Sequence, residues 1–223
     1  RHAGFSFGSK VKIDWIDSET LTDVTAREKL GNADGIIVPG GFGGRGIEGM
    51  ISAARYAREN DVPYFGICLG MQIAVIEFAR HVLGWQDADS REFNEGSMHR
   101  VIDFMPGQND EIDKGGTLRL GSYPCKVASG TQMSGCYGAE TINERHRHRY
   151  EFNNLYREEL EAAGLVISGT SPDGRLVETV EIPGEFFRVG VQFHPEFKSR
   201  PNRPHPLFVG FVGSALKHSG KTK

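Results

Sequence analysis

The sequence predicts an α/β fold: an open, mostly parallel sheet with helices on both faces and antiparallel strands added in the C-terminal half. Two observations carry this. Strand-like and helix-like runs alternate twice between residues 34 and 83, the pattern of parallel strands joined by crossover helices. Three apolar runs then crowd together between residues 165 and 193, joined by Pro172-Asp173-Gly174 and Pro183-Gly184. Connections that short suit antiparallel hairpins.

Taken in order, residues 11–17 (VKIDWID) alternate and predict a first strand. Residues 34–39 (DGIIVP) predict a buried strand that runs into the turn-rich Gly40-Gly41-Phe42-Gly43-Gly44. Residues 47 to about 60 have helical periodicity, and 63–67 (PYFGI) form a short apolar strand. Residues 69 to about 83 predict a helix with Met71, Ile73, Ala74, Val75, Ile76 and Phe78 spread over most of its faces, so it is buried. The polar, glycine-rich stretch 87–116 predicts a long surface excursion. Residues 165–168 (LVIS), 176–182 (LVETVEI) and 186–193 (FFRVGVQF) predict strands, and 206–217 (PLFVGFVGSALK) a final helix. With no repeat, low-complexity run or linker, residues 1–223 read as one domain.

Composition narrows the function. Hydrophobic residues at 38% and charged residues at 25% are ordinary for a soluble globular chain. A net charge of −3 argues against a broad nucleic-acid surface. No apolar run reaches the ~18 residues that cross a bilayer, and no signal-peptide pattern opens the chain. Three cysteines without paired spacing fit a reducing compartment, which predicts a cytoplasmic protein.

The chemistry centres on Gly66-Ile67-Cys68-Leu69-Gly70. A strand enters a G-x-C-x-G turn and a buried helix leaves it, the layout of a nucleophile elbow with cysteine in place of serine. The helix start should direct free N–H groups at the Cys68 sulfur and lower its pKa. A buried structural cysteine is the plain alternative, and Cys125 and Cys136 are expected to be just that. A nucleophilic cysteine needs a base close in space. His194 follows an apolar strand at the end of the sheet where Cys68 should lie, and Glu196 two residues on can orient its ring. Pro195 between them favours an extended shape that turns both side chains the same way. Cys68, His194 and Glu196 thus fill the roles of nucleophile, base and orienter. Attack on an amide creates an oxyanion, and each backbone N–H that meets it contributes on the order of 3 kcal/mol. Leu69 and Gly41 are the expected donors.

The G-x-C-x-G-M-Q turn, the P-G-G-F-G loop and F-H-P-E together resemble class I glutamine amidotransferases. Residues 40–49 (GGFGGRGIEG), 115–121 (GGTLRLG), 144–154 (ERHRHRYEFNN) and 192–197 (QFHPEF) are similar to the glutaminase domains of the CTP synthase family. The resemblance covers essentially the whole chain. It implies hydrolysis of glutamine to glutamate and ammonia, at a glutamine site that includes Gly41, Leu69, Gly70, Met71, Gln72, Glu92 and Arg149. Glu92 suits the α-ammonium of glutamine and Arg149 its α-carboxylate. A metal site at His146 and His148 lacks further ligands, so neither metal nor cofactor is expected in this domain.

The resemblance further implies an absent N-terminal synthetase domain that uses ATP and Mg²⁺ to aminate UTP. It implies allosteric GTP at the domain interface, near Phe42, Arg45 and residues 118–127, and a homotetrameric full-length enzyme. The family's domain usually opens with a strand and helix before the position of Arg1, and Arg1-His2-Ala3-Gly4 resembles the tail of that helix. Other readings keep the triad but change the substrate: another amidotransferase, a γ-glutamyl hydrolase or a cysteine peptidase. A non-enzymatic regulatory or filament-forming module is the remaining alternative, and the complete Cys-His-Glu set weighs against it.

Overall fold

A computed structural model of the chain describes residues 1–104 and 119–220. The N-terminal part contains α1 (His2–Ser6), α2 (Asp23–Leu30), β1 (Ile36–Val38), α3 (Ile47–Glu59), β2 (Tyr64–Ile67) and α4 (Leu69–His81). Two short strands follow, β3 (Asp89–Ser90) and β4 (Arg100–Phe104). The rest comprises β5 (Arg119–Val127), α5 (Gln132–Tyr137), β6 (Thr141–His148), β7 (Tyr150–Phe152), α6 (Arg157–Ala162), β8 (Val166–Thr170), β9 (Val177–Glu181), β10 (Arg188–Val191) and α7 (Pro206–His218).

Seven strands form the main sheet in the order β1-β2-β10-β9-β8-β5-β6. β2 lies parallel to both β1 and β10, and every pairing from β10 to β6 is antiparallel. The predicted strand–helix alternation thus builds the parallel end, and the Pro-Gly turns build the hairpins beyond it. β3, β4 and β7 make a small second sheet.

The period of two in β2 and β10 assigns each side chain to a face. Tyr64 joins the apolar cluster that contains α3 and α4, while Phe65, Ile67, Val189 and Val191 join the cluster beneath α7. The alternating positions toward α4 carry glycine where the helix comes close. A Cβ on Gly66 would sit 2.4 Å from the Gly70 carbonyl oxygen, and one on Gly70 would sit 2.1 Å from that of Val38. Glycine at both positions therefore sets how tightly α4 seats on the sheet. Buried Glu77 of α4 accepts from Arg58 of α3, Nε at 3.1 and 3.0 Å and Nη2 at 2.8 Å, and ties the two helices together.

Two expectations are corrected. Residues 11–17 form no strand: their backbone bonds to no neighbouring strand among the described residues, and Ile13, Trp15 and Ile16 are exposed. Alternation makes a strand only where a ladder partner exists. The stretch 87–116 is not wholly a surface excursion, because Ala88, Ser90, Val101 and Ile102 are fully buried where β3 and β4 pack on α4. Its remainder, 105–116, lies outside the described residues. Replacing Gly70 by alanine overpacks the β1–α4 contact and should cost about 1–3 kcal/mol. Urea denaturation would show this as a lowered midpoint, and an unchanged midpoint would refute the account of the close approach.

Candidate active site

Cys68 stands where β2 turns into α4, at φ 52° and ψ −102°. A left-handed conformation in a residue with a side chain stores on the order of 1–3 kcal/mol, repaid by the structure around it. The Cys68 N–H donates to the Val191 carbonyl at 2.7 Å, which anchors the turn to β10. The Leu69 N–H acts on the sulfur in favour of the thiolate, as the sequence suggests. Burial outweighs it: the Cys68 thiol is pushed up to about 12, and the negative charges of Glu196, Glu151 and Glu92 act in the same direction. The expected low pKa is therefore corrected, because a helix terminus cannot offset loss of water around a charge.

His194 lies just past β10, its N–H bonded to the Arg145 carbonyl at 2.8 Å. Its Nδ1 meets Glu196 Oε1 at 2.6 Å. The predicted contact is present, but it is made differently. Residues Pro195–Phe197 form a 3₁₀ turn with proline at its first position, so Glu196 folds back onto the ring. Phe197 stacks on the imidazole with centroids 5.1 Å apart. Held on Nδ1 by a carboxylate, the ring presents Nε2, which is buried and makes no hydrogen bond among the described residues. Gly40 lies between His194 and Cys68. A Cβ there would lie 2.8 Å from His194 Cε1 and 3.5 Å from Cys68 Cβ. Only a residue without a side chain lets the two face each other.

The next residue, Gly41, approaches the first turn of α4 so closely that a Cβ would lie 3.1 Å from Leu69 Cδ2. Gly41 thus packs against the Leu69 side chain, and its own position borders a space beside Cys68. That space opens into a cavity of about 240 Å³ lined by Gly41, Phe42, Cys68, Gln72, Glu92, His148, Arg149 and Tyr150. Of the predicted glutamine-site residues, Gly41, Gln72, Glu92 and Arg149 meet on its wall. Glu92 also accepts the Gly43 N–H at 2.9 Å, which holds the glycine loop over the cavity. Gly70 and Met71 are placed behind it, against Val38 and Gly190.

His148 and Tyr150 were not foreseen as wall residues. The signal lay in the alternation of 141–148, which is exposed at each odd position and buried at each even one. His146 and His148 therefore point inward. Their ring nitrogens bond each other at 2.8 Å, and His148 Nδ1 approaches the Tyr150 carbonyl at 3.3 Å. Burial and Arg119 hold both rings neutral, His146 down to about 2 and His148 to about 3. Behind them, Arg119 pairs with Glu178 at 2.6 Å and approaches Glu151 at 3.5 Å. Burial raises both carboxyls above their ordinary range, well above it for Glu151. The histidines considered as metal ligands thus spend their facing nitrogens on each other. Cys125 and Cys136 are free thiols away from this cavity, both raised by burial.

Comparison with known proteins gives a consistent picture. The family model described as "Glutamine amidotransferase class-I" matches residues 1–214. A CTP synthase of Pelotomaculum thermopropionicum is 58% identical over 218 residues, covering 98% of this chain and 41% of that protein. One from Rubrobacter xylanophilus is 62% identical over 217 residues, covering 97% of this chain and 39% of that protein. The chain thus spans about two fifths of the length of the curated relatives it matches. The solved glutaminase domain of Trypanosoma brucei CTPS with bound acivicin superposes with a TM-score of 0.91 at 42% identity, over 97% of this chain and 84% of that one. A putative GMP synthase subunit from Thermoplasma acidophilum, at 17% identity and a TM-score of 0.61, shares the fold.

The raised thiol makes a prediction about the protein assayed without glutamine. Alkylation of Cys68 by iodoacetamide should accelerate about tenfold per pH unit between pH 7 and 9, since only the thiolate reacts. A plateau in that range would contradict a neutral resting thiol. Gly40→Ala should slow glutamine hydrolysis roughly 10²-fold, by pushing His194 out of line with Cys68.

Proposed function

The chain belongs to the class I glutamine amidotransferase family, and from that premise we propose that it hydrolyses the side-chain amide of glutamine through Cys68, His194 and Glu196. The observation that carries this is one cavity with a nucleophile at its floor and opposite charges, Glu92 and Arg149, on its wall. A free amino acid with a reactive side chain presents the complementary charges at its other end. That distinguishes glutamine from a peptide or a γ-glutamyl chain.

In this reading, His194 Nε2 takes the Cys68 proton as the sulfur attacks the amide carbon. The C=O electron pair moves to oxygen, where the N–H groups of Leu69 and Gly41 meet the negative charge. The pair returns, the C–N bond breaks, and His194 gives its proton to the departing ammonia. A water deprotonated by His194 then attacks the γ-glutamyl thioester, the C–S bond breaks, and glutamate leaves with Cys68 reprotonated. Glu196 fixes the tautomer of His194 and stabilises the imidazolium between the two proton transfers.

The relatives support a wider role. We infer that the ammonia passes to a synthetase domain that uses ATP and Mg²⁺ to convert UTP to CTP, within a homotetrameric CTP synthase. GTP is proposed to act at the interface of the two domains. Exposed Phe42 carries the Arg147 guanidinium 5.8 Å from its ring centre, a surface suited to a flat base. A neighbouring cavity of about 710 Å³, lined by Leu120, Arg145, Arg147 and Arg200 among others, offers positive charge for phosphates. Arg45, expected in the same role, pairs with Glu19 at 2.5 Å. Residue 118 of the expected GTP region lies outside the described residues. Among the described residues no helix is long and apolar enough to cross a membrane. The three free thiols suit the cytoplasm.

The test is labelling with 6-diazo-5-oxo-norleucine followed by intact-mass analysis. A single adduct that glutamine suppresses and Cys68→Ala abolishes is expected. An adduct elsewhere, or one indifferent to glutamine, overturns the assignment. Glu92→Gln should raise the glutamine concentration needed for half-protection roughly 10- to 100-fold, the worth of one charged hydrogen bond.

A further inference from the structure

Gln192 is fully buried and has no part in the triad. Its position follows from pairing. β10 runs parallel to β2 with Val191 opposite Ile67, and the Cys68 N–H bonds the Val191 carbonyl, so the residue after Val191 is brought beside the sulfur. Gln192 Nε2 lies 3.6 Å from Cys68 Sγ. A hydrogen-bond argument fixes which end of the amide faces the sulfur. The Tyr150 carbonyl can only accept, so Gln72 turns its nitrogen toward it, at 3.2 Å. The same nitrogen donates to Gln192 Oε1 at 3.2 Å. The oxygen of Gln192 is thereby occupied, and its N–H donor is left on the sulfur.

Resting on the glutaminase reading, we propose that Gln192 is a further catalytic residue, whose side-chain N–H stabilises the Cys68 thiolate when it forms to attack and again when it leaves the thioester. The need for such a donor is evident around the sulfur. Burial and three carboxylates oppose the negative charge, and the Leu69 N–H acts in its favour. During catalysis that N–H is also claimed by the oxyanion. A second donor, locked by Gln72 and Tyr150, stays on the sulfur throughout. In acylation the Cys68 proton passes to His194 while the S–C bond forms. In deacylation the S–C bond breaks and its electron pair returns to a sulfur that already faces a donor. A hydrogen bond to a charged acceptor is roughly twice as strong as one to a neutral group, so the bond gains strength at the moments when charge is present.

The test compares Gln192→Met, which fills the space without a donor, and Gln192→Glu, which keeps the shape but turns an acceptor on the sulfur. Iodoacetamide alkylation of Cys68 and glutamine hydrolysis are both measured. The expected order is wild type, then Met, then Glu, with Met down roughly 10- to 100-fold in both assays. Equal rates for Met and wild type, or for Met and Glu, overturn the proposal. If Gln192→Met does not fold, as judged by circular dichroism, Gln192→Glu decides alone. Its deficit in alkylation should shrink as the pH falls and the new carboxyl gains a proton to donate, whereas a deficit constant with pH rejects the idea. Iodoacetamide needs no glutamine site, so it judges Gln192 independently. If the diazo-ketone fails to label Cys68 in every form, the glutaminase reading falls instead.

Discussion

The parallel pairing of β2 with β10 is the constraint on which the rest of the site depends. These strands come from positions more than a hundred residues apart, and their ladder ends with Ile67 opposite Val191. One chain leaves that ladder through Cys68 and the other through Gln192, Phe193 and His194. Cys68, Gln192 and His194 are thus delivered by a single register. A slip of one residue would turn Cys68 away from His194 and exchange the apolar sets of the two faces. Burial on both sides, beneath α4 and beneath α7, makes that slip prohibitive.

Much of this was legible in the sequence because the informative segments carry local punctuation. Pro39 to Gly44, the glycines flanking Cys68, and the Pro-Gly turns before β9 and β10 mark strand ends without reference to the rest of the chain. Cys68, His194 and Glu196 stood out for the same reason. What escaped depends on partners distant in sequence. The alternation of VKIDWID is as good as that of many strands, yet among the described residues nothing pairs with it. The β5–β6 hairpin carries Glu144 to His148 and lacks the apolar look of a strand. Its inward side chains include His146 and His148, and the carboxyls beside them, Glu151 and Glu178, come from outside the hairpin. The Cys68 pKa was misjudged because a helix start is visible in sequence and the thickness of protein over a sulfur is not.

Glycine and buried charge divide the work of shaping the site. Gly66 and Gly70 bring α4 down onto the sheet, and Gly40 lets imidazole and sulfur face each other. The back wall achieves rigidity in the opposite way, through side chains that are costly to bury unless each is answered. His146 and His148 answer each other, and Arg119 stands between two carboxyls. Such a cluster is weak evidence of stability, because desolvation consumes much of its attraction. Its geometric effect is clearer, since it leaves His148 and Tyr150 little freedom where they border the cavity.

A thiol kept neutral by its surroundings has a pharmacological consequence. Such a thiol offers little to a general electrophile, and a covalent fragment library screened against it would rank compounds by intrinsic warhead reactivity and say almost nothing about fit. Selectivity has to come from the far wall. A molecule carrying an ammonium and a carboxylate at the spacing of an amino acid would dwell beside the sulfur long enough for a mild warhead to react. Potency and selectivity would then improve together, since both depend on residence in the cavity more than on the electrophile.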